Sequence, residues 1–336
     1  MNKQKCITLF TKNRPEILSK TLPQLTNADL SVIVLDDSTN TETKRIVDNI
    51  AKKWNNIYYH GRPEQKELLQ KFTKLVSDLD YFIKPLGTNG WTLGYVRNYA
   101  IILAKTLDFE RVLFMDDDII IKDVNIIKEM MKLLDNADFV GAKISGMPDD
   151  SVVGYIMREL GMKPYEFLSG GFLAFNLDSV SECFLNYYNE DWIWLFLHKP
   201  KVKLVKYGEV HQLPFNPFEN AVERALQQEF GEILVDGVKK AIESKNNAAL
   251  TDVPFWNRIV EKRSYLIKDV INLSENNCVT GMSAGKFLLS YLSKVDGKQL
   301  VNIFTTYFAR KKLWLHLLYD LGEYESVEDF YGGGAL

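Results

Sequence analysis

From Cys6 to Ile144 the chain alternates short, nearly unbroken apolar runs with segments of helical period, and this rhythm constrains the fold more than any other feature. The runs are Cys6 to Thr11, Ser31 to Leu35, Ile57 to Tyr59, Val112 to Met115 and Phe139 to Ile144. A strand that is apolar at every position needs cover on both faces, as in a parallel sheet. Between the runs lie helical patterns at Pro15 to Leu25, Thr41 to Trp54, Gln65 to Leu79, Leu93 to Lys105 and Val124 to Leu134. Pro15 suits the first turn of its helix, and Val96, Ala100, Ile101 and Ala104 recur at helical spacing. Tyr81 to Ile83 reads as a further short strand and Gly87 to Gly90 as a turn. Strand–helix alternation of this kind predicts a doubly wound α/β sheet.

Beyond Ile144 the rhythm changes. Ser145 to Pro148 reads as loop, Phe167 to Asn176 as an apolar strand carrying Gly170-Gly171, Ser179 to Tyr188 as helix and Val202 to Tyr207 as strand. Helical patterns then dominate at Glu219 to Lys240, Trp256 to Leu273, Ser283 to Leu292 and Leu300 to Leu318. The expected division is therefore 1–220, carrying the sheet and site, and 221–336, mostly helical. The aromatic residues Phe304, Tyr307, Phe308, Trp314 and Tyr319 beside Arg310-Lys311-Lys312 read as a core-facing stripe or an oligomer contact; a basic amphipathic helix can also lie on a membrane.

The net charge of −3 gives no broad basic field and disfavours nucleic acid as a partner. Cys6, Cys183 and Cys278 form no metal-ligand spacing and read as buried thiols of a reducing compartment. No stretch approaches the ~20 apolar residues of a membrane span, so the expectation is a cytoplasmic protein.

Chemistry-bearing residues gather where strands end. Asp116-Asp117-Asp118 follows directly on Val112 to Met115. Clustered carboxylates at a strand end offer hard oxygen ligands suited to Mg²⁺ or Mn²⁺, with positions left for phosphate oxygens, and ligands of open α/β sheets bind beyond the carboxyl ends of strands. In an extended chain Asp116 and Asp118 share a side and Asp117 points elsewhere, so one of the pair can touch ribose while the other ligates metal. Acidic residues after a strand also serve as plain turn residues and caps.

Asp36-Asp37 ends the second strand. Asp36 can accept from a base N–H of uracil, thymine or guanine, while Asp37 or Ser38 caps the next helix. Gly90 and Gly94 allow close backbone approach, and Arg97 lies about one turn into that helix, within reach of a base or phosphate. Glu190 and Asp191 stand ahead of Trp192-Ile193-Trp194-Leu195, where they suit either a helix N-terminus or a general base. His211 follows a strand and Gly208 and is either a metal ligand, better matched to Mn²⁺ than Mg²⁺, or a satisfied loop histidine. His60, His198 and His316 read as structural.

Taken together these residues resemble the GT-A glycosyltransferases, particularly the large inverting family that includes cellulose- and chitin-synthase-like and spore-coat enzymes. The resemblance rests on Thr11-Lys12-Asn13-Arg14-Pro15 after the first strand, Asp36-Asp37-Ser38-Thr39 after the second, a loose match over Asn89 to Asn98, and Asp116 to Asp118 as an Asp-x-Asp motif. It covers roughly residues 5–120, with Ser169-Gly170-Gly171-Phe172 and Glu190-Asp191-Trp192 as later, inexact matches. It implies a GT-A-like, mainly parallel doubly wound sheet flanked by helices. It also implies a nucleotide-sugar donor of UDP or GDP type, contacted by Thr11, Asn13, Arg14, Asp36, Asp37, Gly90, Arg97, Asp116, Asp117, Gly170 and Gly171. The metal would sit on Asp118 and Asp116 with His211 completing its shell, and Asp191, or else Glu190, would be the catalytic base of an inverting hexosyl transfer. The acceptor is open, and the C-terminal helices are a candidate homo-oligomer contact.

Three other classes compete. A sugar-nucleotide nucleotidyltransferase usually opens with a glycine-rich loop, which Thr11 to Pro15 lacks. A phosphohydrolase using Asp36 as nucleophile wants a carboxylate where Ser38 stands. A non-catalytic nucleotide-binding module needs an assay to exclude. Dinucleotide binding is disfavoured because no GxGxxG follows the first strand.

Overall fold

The computed structural model describes residues 4–39, 41–54, 56–72, 79–83, 92–146, 150–163, 165–277 and 282–320. Its strands are β1 (Lys5–Thr11), β2 (Ser31–Asp36), β3 (Ile57–His60), β4 (Arg111–Asp116), β5 (Ile119–Ile120), β6 (Phe139–Gly146), β7 (Phe172–Asn176) and β8 (Leu204–Gln212). They form one eight-stranded α/β sheet in the order β3-β2-β1-β4-β7-β6-β8-β5. The β3-β2-β1-β4 half is parallel. β7 runs antiparallel between β4 and β6, β6 and β8 are parallel, and β5 is antiparallel to β8. The sheet is thus mixed, with its regular parallel half built from the alternating N-terminal segment.

Side-chain alternation divides the core in two. Ile7, Leu9, Leu113 and Met115 face α1 (Pro15–Leu25), α2 (Glu42–Ala51) and α5 (Asn125–Leu133). Cys6, Phe10, Val112 and Phe114 face α4 (Leu93–Thr106) and α7 (Glu190–His198). This is the physical content of the unbroken apolar runs: each strand is covered on both sides.

Residues beyond 220 form α8 (Ala221–Glu243), α9 (Val253–Asn277), α10 (Met282–Leu292) and α11 (Gly297–Asp320). Residue 220 marks a change of architecture, yet the apolar core crosses it: Trp256, Phe304, Tyr307 and Trp314 belong to the same buried cluster as Phe114. The Trp314 ring meets Phe82 at 5.4 Å. The Tyr307 hydroxyl donates to buried Glu182 at 2.6 Å, and the Lys311 ammonium reaches the same carboxylate. The aromatic stripe of α11 is therefore mostly core. Phe308 and Tyr319 are exposed. Among the described residues no helix is long and apolar enough to cross a membrane.

Several local expectations are corrected. Ser179 to Tyr188 is not a helix: a 3-10 turn at Leu177–Ser179 precedes irregular chain up to α7. Tertiary partners replace helical bonding there, since the Ser181 and Glu182 N–H groups donate to His198 Nε2 at 3.0 and 3.2 Å. Asn98 takes both the carbonyl and the N–H of Phe184. Tyr81 to Ile83 is not a strand but the end of a 3-10 turn at Leu79–Tyr81, and Asn98 also takes the Phe82 carbonyl. The third helix begins earlier than expected, as α3 (Arg62–Phe72). β5 and α6 (Val152–Glu159) are elements the sequence pattern did not mark; Ser151 caps α6 by accepting from the Gly154 N–H. β8 extends past Tyr207 through Gly208, whose φ of +71° places it in the region that glycine tolerates. Gly90, Cys278 and the Gly332 to Leu336 tail lie outside the described residues.

Candidate active site

The carboxyl ends of β1, β2 and β4 open onto a cleft of about 460 Å³, lined by Lys12, Arg14, Asp37, Asp116, Asp118 and Gln212 among others. β1 lies between β2 and β4 in parallel register, so their polar ends converge because the strands finish at one level. Thr11 Oγ1 donates to Asp117 Oδ2 at 2.6 Å, and Asp117 is fully buried. Desolvation raises the Asp117 pKa to about 7. Asp116, the last residue of β4, and Asp118, in the turn that follows it, line the cleft instead. The Arg14 guanidinium spans the group, 2.5 Å from Asp117 Oδ1 and 3.0 Å from Asp118 Oδ2.

Asn13 takes a positive φ of 53°, accepts from the Thr39 N–H at 2.9 Å and donates its own N–H to Ser38 Oγ at 2.7 Å. It ties the β1 turn to the β2 turn and is not among the cleft-lining residues. The two residues of Asp36-Asp37 divide in the opposite sense to expectation. Asp36 is 1% exposed, and its oxygens accept from the Ser38 N–H and the Tyr59 hydroxyl. Asp37 lines the cleft, paired with Lys12 at 2.7 Å and Arg62 at 3.0 Å. Neither Asp37 nor Ser38 caps α2, whose N-cap position, Thr41, makes no side-chain cap bond.

Asp118 Oδ1 and Gln212 Oε1 are buried without a hydrogen-bond partner among the described residues, and Gln212 Nε2 lies 3.4 Å from Asp118 Oδ2. Unpaired oxygens of this kind are costly unless something else completes them. His211 does not join them. It precedes Gln212 on β8 and its imidazole lies where a Cβ on Gly146 would fall; strand alternation gives the Asp118 side to Gln212. Among the described residues no group of three His, Cys, Asp or Glu converges on one point. His211 thus lies beside Gly146, and Gln212, which the sequence reading passed over, is the β8 residue that lines the cleft.

A second cavity adjoins the first through Leu93 and is lined by Arg97, Glu190, Asp191, Trp192 and Tyr165 among others. Arg97, 2% exposed, donates to Glu190 Oε1 at 2.7 Å. It also lies 3.7 Å from Asp116 Oδ1 and 3.9 Å from Asp191 Oδ2. A buried guanidinium thus links the two cavities and does not reach out as a surface base or phosphate contact. Desolvation raises the Asp116 pKa while Arg97 opposes the rise. Asp191 is held from both sides, Oδ2 accepting from the Gly170 N–H at 2.6 Å and Oδ1 from the Trp192 N–H at 2.8 Å, in the first turn of α7, where the helix dipole favours a carboxylate.

Gly170 and Gly171 are space requirements. A Cβ on Gly170 would stand 2.5 Å from Arg97 Nη1, and one on Gly171 would stand 2.8 Å from Asp116 Oδ2. Gly94 likewise backs against the Leu185 carbonyl, at 2.4 Å from an added Cβ.

No family model and no curated protein matches the chain. Among solved structures it is similar to glucosyl-3-phosphoglycerate synthase from Mycobacterium tuberculosis in complex with Mn²⁺, UDP-glucose and phosphoglyceric acid, at 14% identity over 71% of this chain and 80% of that one, with a TM-score of 0.48. It is also similar to the mannosyltransferase PcManGT from Pyrobaculum calidifontis in complex with GDP-Man and Mn²⁺, at 13% identity over 99% of this chain and 89% of that one, TM-score 0.46. A third similarity is to a 4-diphosphocytidyl-2C-methyl-D-erythritolsynthase from Anaerococcus prevotii, at 11% identity, covering 68% of this chain and 99% of that one, TM-score 0.40. At such identities the likeness concerns the path of the chain and not its residues.

Proposed function

We propose that the chain transfers a sugar from a nucleoside-diphosphate sugar of UDP or GDP type to an acceptor hydroxyl, with inversion at the anomeric carbon. The observation that carries this reading is the juxtaposition of two cavities, one edged by Asp116, Asp118, Lys12 and Arg14, the other by Asp191, joined through Arg97. One has the charges a leaving diphosphate needs; the other has an anchored carboxylate.

The oxygen donors of the first cavity fit Mg²⁺ or Mn²⁺: Asp118 with its unpartnered Oδ1, Asp116, and the amide oxygen of Gln212. One or two carboxylates suffice when phosphate oxygens and water complete the shell. A divalent cation held there neutralises the departing diphosphate as a Lewis acid. Lys12 and Arg14, about half exposed on the same cleft, add positive charge. Asp37 is placed to meet the base or ribose, and Asp36 and Asn13 hold the turns that present it.

Asp191 is the proposed base. Its two backbone N–H partners fix the carboxylate in place. As the acceptor oxygen forms its bond to the anomeric carbon and the carbon–phosphate oxygen bond breaks, the hydroxyl proton passes to Asp191 and the nucleoside diphosphate leaves. Glu190, buried and bonded to Arg97, positions that guanidinium.

The test is thermal stability with UDP, GDP, dTDP, ADP and CDP, each with Mn²⁺ and with EDTA, because a ligand of the folded state raises the midpoint by mass action. A metal-dependent shift with UDP, GDP or dTDP is expected. No shift with any nucleotide would remove the donor site. Asp191→Asn is expected to keep that shift and lose transfer.

A further inference from the structure

We infer that the groove leading away from Asp191 is a subsite for a saccharide acceptor of more than one ring, packed against Trp192 and Tyr165; the inference rests on the transfer reading above. The cavity beside Asp191, about 120 Å³, continues into a second of about 260 Å³, and the two share Asp150, Tyr165, Tyr188, Asn189 and Trp192 as a common wall. The result is an elongated groove with the proposed base at one end.

The wall has the chemistry that sugar rings need. Tyr165 is 45% exposed and is held in place from several sides. Its ring meets Trp192 edge-on at 5.6 Å, and Lys239 Nζ lies 3.1 Å from its centroid. Behind them Phe167 stacks on Phe196 at 4.6 Å and 4°. Lys239 covers one face of Tyr165, so the polarised C–H groups of a pyranose, which an aromatic ring attracts, meet the rest of its exposed ring and the half-buried Trp192 indole. Around it stand planar groups that pair with vicinal hydroxyls: Asp150, braced by Arg158 Nε at 2.9 Å, and Asn189.

Charge argues against the other acceptor classes. Asp150, Glu166, Glu190 and Asp191 share the first cavity with Arg97, Lys143, Arg158 and Lys206, and Asp150, Glu232 and Asp236 share the second with Lys239, Lys262 and Arg263. A groove balanced in this way offers a purely anionic acceptor no net attraction and is too polar for a lipid tail. A neutral polyhydroxylated chain meets neither penalty.

The test is saturation-transfer NMR of the full chain with cellobiose, maltose, mannobiose and diacetylchitobiose, and with glycerol 3-phosphate as the anionic probe. Each is measured with and without UDP and Mn²⁺. At least one disaccharide is expected to receive saturation, with Kd weakened tenfold or more in Tyr165→Ala and in Trp192→Ala, while the nucleotide-dependent thermal shift of both variants stays that of the parent chain. Trp192→Phe, which keeps a ring, is expected to retain most of the affinity and covers the case in which the alanine variant does not fold. Saturation of glycerol 3-phosphate alone, of no probe, or of disaccharides with unchanged Kd in the variants overturns the saccharide subsite. If the parent chain shows no nucleotide shift, the transfer reading fails separately, because the nucleotide-free arm still reports on the groove.

Discussion

The two halves of the candidate site are built from the same residue types in opposite surroundings. At the ends of β1 and β4, Arg14 bridges Asp117 and Asp118 with 43% of its side chain exposed. On the other side of Asp116, Arg97 meets Glu190 with 2% exposed. An ion pair in water contributes little to stability and is free to rearrange, whereas a buried guanidinium that loses a partner leaves an uncompensated charge. On the donor side only the guanidinium is open to solvent, Asp117 being 0% and Asp118 12% exposed. The base side is a fixed frame that keeps Asp191 and Asp116 apart at a set distance.

The largest effect that would test this contrast is Arg97→Ala. It takes away the buried guanidinium shared by Glu190, Asp116 and Asp191 and is expected to cost about 3–5 kcal/mol, read as a lowered denaturant midpoint; a cost near that of an exposed pair would erase the distinction. Acid comes next. His198, the last residue of α7, accepts two backbone N–H groups at Nε2 and donates Nδ1–H to the Trp194 carbonyl. Burial pushes its pKa down to about 4 from 6.5, so the unfolded chain binds the proton first as pH falls. The His198 contribution to stability is whole above about pH 6.5 and is lost between 6.5 and 4, on the order of 3 kcal/mol; His198→Gln should remove that share of the slope in a pH series of unfolding curves, while buried His60, also pushed down to about 4, keeps its own.

Gly170→Ala probes the frame more gently. The new methyl meets Arg97 and the Asp191 Cβ at 2.5 and 2.8 Å, and an overpacking cost of about 1–3 kcal/mol with loss of transfer is expected. On the donor side, Asp118→Asn should change stability little while abolishing the Mn²⁺-dependent part of the nucleotide shift; a shift that survives it with unchanged metal dependence would sink the metal assignment. Arg14→Gln is expected to cost less than Arg97→Ala, because the buried Asp117 keeps the Thr11 hydroxyl as a donor, with weaker UDP binding in the same thermal assay.

What the sequence determined by itself was the parallel half of the sheet and the position of its polar ends. Unbroken apolar runs demand two-sided cover, and the residues that close such runs must lie at one edge, so Thr11, Asp37, Asp116 and Asp118 were legible as a cluster before any coordinates. The sorting of Asp116 and Asp118 from Asp117 was open in the sequence, and the turn after β4 with the Thr11 bond to Asp117 decides it. Tertiary structure alone decided the rest. Which of Asp36 and Asp37 faces the cleft depends on Tyr59 and Ser38 claiming the first of them. Whether His211 or its neighbour approaches Asp118 depends on the register of β8, and a one-residue step reverses every side chain. Arg97 lies 93 residues from Glu190 in sequence, and no local pattern records a partner at that distance. The Ser179 to Tyr188 segment kept a helical pattern yet gave up the helix, because Asn98 and His198 satisfy its backbone groups from outside. Strand ends are set by local hydrophobic pattern; partners across the fold are set by packing, which the chain specifies only once it is assembled.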